Sequence, residues 1–282
     1  MRPSRARLLF AGALVAFSMP PWGWWPLAIV GCAMYANVAV HAGRRAPFRS
    51  AMWWALGWFV PSLAWMWFLT VPGYLIVCIL FAAFHGAAAV VANLIGRASD
   101  AHHRTALAVT HTFAEILRLS FPFGGVPLAT LAISQSQSPF ARFAGAGGVI
   151  LITFMVLLFS FSDRRLRVAV AGAVVLLVAV PLDSTTHDGD ATYALVQGGG
   201  RQGTHVGDVE PRDVFLAHLA ATRTIRPSTG LTAVIWPENV INITGHGTFA
   251  ASRERTELAA EAGRLGVPFV VGITEDAGDN AF

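Results

Sequence analysis

The chain of 282 residues is 55% hydrophobic and only 13% charged, a composition outside the range of ordinary soluble domains. It is typical of a protein that lies in a lipid bilayer. All 20 basic residues are arginine, and the formal net charge of +4 is too small and too scattered to indicate a nucleic-acid partner. The two cysteines, Cys32 and Cys78, lie inside apolar runs. They therefore predict neither a disulfide framework nor a metal site, and we expect them to pack in a core or against lipid.

Seven apolar segments have lengths close to those of membrane-spanning helices. They are residues 8–19, 25–40, 51–70, 73–95, 104–119, 143–161 and 166–182. The first is short, since about twelve residues at ~1.5 Å each cover ~18 Å of a ~30 Å hydrocarbon core. A cleavable signal peptide is the alternative for this segment, but the two prolines that follow Met19 disfavour cleavage. We therefore keep it as a span and predict a multispan α-helical membrane bundle.

The arginines predict how the bundle is oriented, because short loops rich in positive charge stay in the cytoplasm. Every second connection is rich in arginine: the N-terminus and the loops near residues 44–49, 97–104 and 164–167. The alternate connections carry no charge except for Arg142 at the edge of the longest one; they are residues 20–23, 70–73 and 120–142. Seven spans then place everything after Pro181 outside the cytoplasm.

The fifth span breaks the apolar pattern with three ionisable residues, His111, Glu115 and Arg118. Such residues are rare at this depth and usually face the interior of a bundle. Glu115 and Arg118 are three positions apart, so they can form an ion pair on one helix face. The pair either fixes helix packing or, with His111, contacts a lipid headgroup or substrate. We interpret His85, in the fourth span, as a hydrogen-bonded core histidine.

Beyond the last span the composition changes from lipid-like to globular. Residues 183–190 (DSTTHDGD) are a polar linker, which divides the chain into a predicted membrane domain of residues 1–182 and a second domain of residues 191–282. β-branched, apolar runs predict three strands in the second domain: 192–197, 232–236 and 267–273.

Two helices are predicted between these strands. Their sequences are PRDVFLAHLAATRTI and SRERTELAAEAGRLG, the second with Ser252 as its N-cap and Gly266 as its stop. Alternating strands and helices predict an α/β domain with a buried, parallel or mixed sheet. The loop GGGRQG (198–203) has the spacing of a dinucleotide fingerprint, but no helical pattern begins at its last glycine. We therefore predict no cofactor.

Glu238 follows the second predicted strand, in the stretch AVIWPENVINITG. Ligand sites of α/β sheets gather at the carboxyl ends of strands, and Pro237 ends this strand by removing a backbone donor. Glu238 is therefore a candidate catalytic carboxylate. From its position alone, a solvated or helix-capping glutamate remains the alternative.

The residues around Glu238 resemble the carbon–nitrogen hydrolase (nitrilase) superfamily. The resemblance lies in WPEN after a strand, VQG at the start of the domain and GVPFVVGI further on. A domain of this kind outside a multispan bundle resembles apolipoprotein N-acyltransferase. The first half of the chain supports this through PPWGWWPLA, AEILRLSFPFGGVPLATLAISQSQSP and FAGAGGVILITF. The resemblance covers nearly the whole chain and implies a partial nitrilase-like α-β-β-α fold for the second domain.

The resemblance implies an acyltransferase of the bacterial plasma membrane. In the family, a cysteine thiolate takes an acyl chain from a phospholipid, and the N-terminal amine of a diacylglyceryl-cysteine lipoprotein then receives it. This chemistry needs a cysteine nucleophile, a carboxylate base and a lysine that stabilises the oxyanion. Glu238 matches the carboxylate. The partners implied are a phospholipid donor and a lipoprotein acceptor, without a cofactor or a metal.

The other two catalytic residues of the family have no match in these 282 residues. No lysine occurs, and Cys32 and Cys78 lie within predicted spans, out of reach of an outer domain. The loop after VQG also lacks the aromatic residue expected there, which puts its substrate contacts in doubt. We expect the coding sequence to continue beyond Phe282 with a lysine, a cysteine and one further span.

Two other functions remain open. A catalytically inactive membrane scaffold would anchor a partner enzyme, and a stop codon directly after Phe282 would favour it. A membrane-tethered amidase would pass the acyl group to water instead of an amine. Only an assay with the amine acceptor separates this amidase from the acyltransferase.

The alternation of arginine-rich and uncharged loops makes a testable prediction about topology. A phosphatase reporter fused near Asp190 should be active, because seven spans put that position outside the cytoplasm. A fusion at Arg97, in an arginine-rich loop, is the control and should be inactive. Cytoplasmic behaviour of the Asp190 fusion would show that the number of spans is wrong.

Overall fold

The chain folds into two compact units, Met1–Leu182 and Asp183–Phe282. The computed structural model describes residues 4–41, 45–122, 124–179, 189–199, 209–238, 240–243 and 247–275. Most of the predicted linker, and the glycine-rich loop from residue 200 onwards, lie outside the described residues.

Unit 1 is helical. Its described residues form seven α-helices, one at each predicted apolar segment: α1 (Arg5–Phe17), α2 (Pro26–Val40), α3 (Pro47–Ser62), α4 (Val71–Ile95), α5 (Asp100–Arg118), α6 (Ala144–Phe161) and α7 (Arg164–Ala179). Among the described residues, two segments are both long and apolar enough to cross a membrane, α4 and the run Pro139–Phe161. That all seven helices cross a bilayer stays a prediction.

Local sequence explains where several of these helices begin. Pro26 opens α2 and Pro47 opens α3, positions where the missing N–H of proline costs nothing. The hydroxyl of Ser99 accepts a hydrogen bond from the His102 N–H and caps α5, which satisfies one of the free donors of the first turn.

The helices of unit 1 pack as a closed ring. Going round it, α1 contacts α3, α3 contacts α4, α4 contacts α5, α5 contacts α6, and α6 contacts α2, which returns to α1; α7 packs against α6. The interior is filled by large side chains that are almost fully buried, including Tyr35, Trp54, Trp58, Phe59, Phe81 and Phe161. Cys32 and Cys78 are buried free thiols within the same core, as their apolar surroundings predicted.

The outer surface of the ring is apolar as well. Large side chains on several helices are more than half exposed, among them Phe10, Ile76, Ile95, Phe113, Val175 and Leu176. A helix bundle that is hydrophobic on both its inner and outer faces suits a lipid environment.

Glycines permit a close helix contact where α1 crosses α3. A Cβ atom added to Gly12 would lie 2.0 Å from the Trp54 carbonyl oxygen, and one added to Gly57 would lie 2.3 Å from that of Leu9. Both obstacles are backbone atoms, so a side chain at either position must push the helices apart.

Unit 2 is an α/β arrangement. In chain order, its described residues form β1 (Thr192–Leu195), α8 (Pro211–Arg223), β2 (Leu231–Ile235), β3 (Ile241–Ile243), α9 (Arg253–Leu265), β4 (Phe269–Val270) and β5 (Ile273–Glu275). β1, β2 and β4 form a parallel sheet with β2 in the centre, and β3 pairs in parallel with β5. The three predicted strands and two predicted helices are thus confirmed, although β3 and β5 were not predicted.

The two helices of unit 2 cover one side of its core. Ser252 caps α9 by accepting from the Arg255 N–H, and Gly266 ends it with a φ of 72°, both as predicted. The opposite face of the sheet is open within the described residues, since Leu195 is 78% exposed and Val270 is 58% exposed.

Ion pairs join α8 to α9. Arg212 donates hydrogen bonds to Glu254 and Glu257, and the bond to Glu257 raises the pKa of Arg212 above its ordinary value. Arg223 pairs with Glu261, with 3.3 Å between Nε and Oε1. These pairs are partly exposed, so each adds about 1 kcal/mol or less to stability.

The glycine crossing of α1 and α3 can be tested by adding a single methyl group. We expect Gly57→Ala to destabilise the protein by about 2 kcal/mol or more, because the new Cβ meets backbone that cannot rotate away. Gly172→Ala, in α7, is the matched control: a Cβ at that position meets nothing within 4 Å, so helix propensity makes it neutral or slightly stabilising. Thermal unfolding in detergent measures both, and equal melting temperatures would contradict the prediction.

Candidate functional site

Five side chains form a continuous polar network inside unit 1: Tyr35, His85, His111, Glu115 and Arg118. Each has at most 3% of its surface exposed. Tyr35 comes from α2, His85 from α4, and the other three from successive turns of α5. The predicted grouping of His111, Glu115 and Arg118 in the bundle interior is therefore observed.

The network is connected by short contacts. The Tyr35 hydroxyl lies 3.0 Å from His111 Nε2, and the Nδ1 atoms of the two histidines are 2.8 Å apart. His85 Nε2 faces Glu115 Oε1 at 3.4 Å, an ion-pair distance without hydrogen-bond alignment. The predicted reading of His85 as a hydrogen-bonded core histidine is confirmed.

When both imidazoles are neutral, every contact from Tyr35 to Glu115 has its donor on the Tyr35 side and its acceptor on the Glu115 side. Glu115 only accepts, so His85 Nε2 carries the proton that faces it, and His85 Nδ1 is then the acceptor. His111 Nδ1 must donate to it, which leaves His111 Nε2 to accept from the Tyr35 hydroxyl. Every donor in this arrangement faces an acceptor, with Glu115 at the end.

The Glu115–Arg118 pair holds the backbone of the segment that follows α5. Arg118 Nη1 lies 2.6 Å from Glu115 Oε1, and its Nη2 donates to the Leu128 carbonyl. The second carboxylate oxygen accepts from the Leu131 N–H at 3.1 Å. The Arg118 carbonyl accepts from the Val126 N–H at 2.8 Å. Both charged side chains are thus used to fix the chain between residues 126 and 131.

Aromatic rings and a very small cavity complete the surroundings of the pair. The Arg118 guanidinium carbon lies 4.5 Å from the ring centre of Phe81 and 4.8 Å from that of Phe59, a cation–π arrangement. The cavity beside Glu115, bordered by Thr112 and Thr130, has a volume of about 10 Å³, which suits about one water molecule. A lipid headgroup does not fit there in this arrangement, and the geometry favours the structural interpretation of the pair.

Glu238 lies in unit 2, three residues after the central strand β2 ends. It is exposed, and the described residues provide it with no hydrogen-bond or ion-pair partner. Two positions before it Trp236 is 3% exposed, and two positions after it Val240 is also 3% exposed. Glu238 is therefore an exposed carboxylate without a partner among the described residues, and buried side chains lie two positions away on each side.

The first of these buried side chains, Trp236, is firmly held. Its backbone N–H donates to the Val270 carbonyl at 2.9 Å, and its Nε1 donates to the Thr222 hydroxyl at 3.0 Å. Its ring packs against Phe215 and His218, with ring centres 5.6 and 5.5 Å away. The sheet and α8 together position the turn that carries Glu238, as its place at the carboxyl end of a strand predicted.

Sequence reasoning did not predict the part that Tyr35 plays, because a tyrosine in an apolar helix carries no pattern that indicates a partner. It noted His85 but not its contact with Glu115. The carbonyl of Leu128 and the N–H of Leu131 had no sequence signal, since every residue carries these groups. Among the described residues, no cluster of three or more His, Cys, Asp or Glu side chains could hold a metal ion.

The described residues thus form a helical unit with a buried charged network, in which two segments are long and apolar enough to cross a membrane, followed by a parallel α/β unit. The sequence profile of the family described as "Apolipoprotein N-acyltransferase N-terminal domain" matches residues 11–162, more than half of the chain. The chain therefore belongs to this family.

Individual relatives agree with this assignment. The chain is 27% identical over 271 residues to the apolipoprotein N-acyltransferase of Azotobacter vinelandii, an alignment that covers 86% of this chain and 52% of the relative. The apolipoprotein N-acyltransferases of Haemophilus ducreyi and Pasteurella multocida are 29% and 28% identical over 157 residues, or 53% of this chain. The chain spans about half the length of the Azotobacter relative and less of the other two.

The buried pair yields a stability prediction. Replacing Arg118 with glutamine leaves the Glu115 carboxylate buried beside a neutral partner, so we expect a loss of about 3–5 kcal/mol of unfolding free energy. Arg97→Gln, at an exposed position in the same unit, is the matched control and should change stability by about 0.5 kcal/mol or less. Thermal unfolding in detergent compares the two, and a small loss for Arg118→Gln would contradict the structural role.

Proposed function

We propose that this chain provides the membrane domain and the first part of the carbon–nitrogen hydrolase domain of an apolipoprotein N-acyltransferase. Residues 1–182 would form the multi-pass membrane domain, 183–190 the linker, and 191–282 the start of a nitrilase-like domain outside the cytoplasm. The enzyme would lie in the bacterial plasma membrane. It would transfer an acyl chain from a phospholipid to the N-terminal amine of a diacylglyceryl-cysteine lipoprotein.

The observation that carries this proposal is the position of Glu238. It is an exposed carboxylate without a partner among the described residues, held at the carboxyl end of the central strand of a parallel sheet. Such a position is where α/β sheets place their reactive groups. A carboxylate whose oxygens are not engaged by the protein is available to accept a proton from a substrate or a nucleophile.

In the proposed reaction, Glu238 acts as the general base. It removes the proton of a cysteine thiol, and the thiolate attacks the ester carbonyl of the phospholipid. A C–S bond forms and the ester C–O bond breaks, while Glu238 returns its proton to the departing alcohol. The lipoprotein amine then attacks the thioester: a C–N bond forms, the C–S bond breaks, and the amine proton passes through Glu238 to the sulfur.

The cysteine and the lysine of this mechanism would have to come from outside these 282 residues. The sequence contains no lysine, and Cys32 and Cys78 are buried in the core of the helical unit. The second candidate function, a catalytically inactive scaffold that anchors a partner, would need neither residue. A tethered amidase would use the same thioester with water as the acceptor.

The buried network has a structural part in this proposal. Glu115 and Arg118 would hold the segment after α5 against the bundle, with His111 supporting them from the next turn. In this role the residues act through the stability of unit 1 and take no part in proton or acyl transfer. Their substitution should therefore lower stability and leave the pH dependence of acyl transfer unchanged.

The role of Glu238 is tested by Glu238→Gln in the protein expressed from its complete coding sequence. Glutamine keeps the size and hydrogen bonding of glutamate but cannot take a proton, so thioester formation should fall by about 10²-fold or more while the protein still folds. Glu210→Gln, at an exposed position before α8, is the control and should keep its activity. The assay follows transfer of a labelled acyl chain to the enzyme and then to a lipopeptide, and unchanged thioester formation in Glu238→Gln would remove Glu238 from the mechanism.

A further inference from the structure

One charged residue of unit 1, Arg142, is exposed, has no part in the proposed mechanism and borders a cavity. Arg142 lies in the short 3₁₀ turn Pro139–Phe143 directly before α6. The cavity has a volume of about 500 Å³ and is bordered by Gln137, Ser138, Arg142, Gly145 and, from α7, Val178. This volume is roughly fifty times that of the cavity beside Glu115 and is large enough for a phospholipid headgroup.

The guanidinium of Arg142 is free to bind an anion. Arg142 is exposed, and it makes no hydrogen bond or ion pair with any part of the chain that the structure describes. Between Arg118 and Asp163 it is the single charged residue of the sequence, so no neighbouring carboxylate in this stretch neutralises it. A guanidinium has five N–H donors in a planar fork, which matches the oxygens of a phosphate.

The depth of Arg142 points to the surface of a membrane. The apolar run Pro139–Phe161 is 23 residues long, and at ~1.5 Å per residue it covers ~34 Å, slightly more than a ~30 Å hydrocarbon core. Arg142 lies in the first turn of this run, which is the level of the headgroups. Phe140 is 5% exposed and packs on Phe159, with ring centres 5.6 Å apart, so the backbone that carries Arg142 is anchored.

The helices that continue from the cavity offer a surface for acyl chains. α6 begins and α7 ends beside the cavity, and both present exposed apolar side chains further along. Val175 and Leu176 of α7, within one turn of Val178, are 66% and 70% exposed; Val149 and Ile150 of α6, which also border the small cavity beside Glu115, are 47% and 43% exposed. A cation with this apolar surface next to it matches a molecule that has a phosphate at one end and hydrocarbon at the other.

We propose that the cavity beside Arg142 binds the phosphate of a membrane phospholipid, whose acyl chains lie along α6 and α7. The occupant is a glycerophospholipid and not a free phosphate, because Val178 and the exposed faces of both helices bury hydrocarbon. This binding role depends on unit 1 alone. It is independent of whether Glu238 is a catalytic base.

The test uses a phosphatidylglycerol that carries a photoactivatable group next to its glycerol, added to the protein in nanodiscs. We expect labelling in the peptide that contains residues 137–145, and Arg142→Gln should reduce it about 10-fold, since one charge-assisted contact is lost. Arg142→Lys should retain part of the labelling. Arg165→Gln, an exposed arginine at the opposite end of α7, is the matched control and should label like the unmodified protein.

Three results would overturn the proposal. They are labelling that is unchanged by Arg142→Gln, equal labelling by a diacylglycerol probe that lacks the phosphate, and competition by millimolar inorganic phosphate as strong as that by phosphatidylglycerol. Glu238→Gln should label normally. Loss of acyl transfer in Glu238→Gln would therefore be distinguished from loss of lipid labelling in Arg142→Gln.

Discussion

The arrangement of unit 1 depends on one buried ion pair, Glu115 with Arg118. Two charges inside a helical bundle are expensive to desolvate, and the cost is offset only when their remaining donors and acceptors are also satisfied. Here the backbone of the segment after α5 meets most of that need, through the Leu128 carbonyl and the Leu131 N–H. The pair therefore links the packing of the helices to the path of the segment after α5. Removing either charge would leave the other buried without its partner.

The histidines extend this constraint across the bundle. His85 joins α4 to the pair, and His111 passes the connection to Tyr35 on α2. A polar chain of this kind is sensitive to register, because a helix that slides by one residue breaks all of its contacts together. The glycine contact between α1 and α3 also restricts how the helices pack, because the two backbones approach closely at Gly12 and Gly57 and leave no room for a larger side chain.

The charged groups of this protein divide into two kinds. Glu115 and Arg118 are buried, and both carboxylate oxygens and both terminal guanidinium nitrogens bond to the protein itself, which suits a structural role. Glu238 and Arg142 are exposed and without partners among the described residues, although buried aromatic anchors hold the backbone near both of them. Free charges on anchored backbone are prepared for ligands, because binding them costs little conformational entropy. This contrast underlies the proposals of a proton acceptor in one unit and a phosphate site in the other.

The sequence by itself determined the helical segments of unit 1, both helices and three of the five described strands of unit 2, the cap and stop of α9, and the place of Glu238 after a strand. These follow from apolar periodicity and turn chemistry, which act over a few residues. Only the tertiary structure decided that His85 and Tyr35 join the charged residues of α5, that the Leu128 and Leu131 backbone bonds to the ion pair, and that Val178 of α7 borders the same cavity as Arg142. Those contacts join residues far apart in the chain through groups that carry no local pattern, so packing alone selects them.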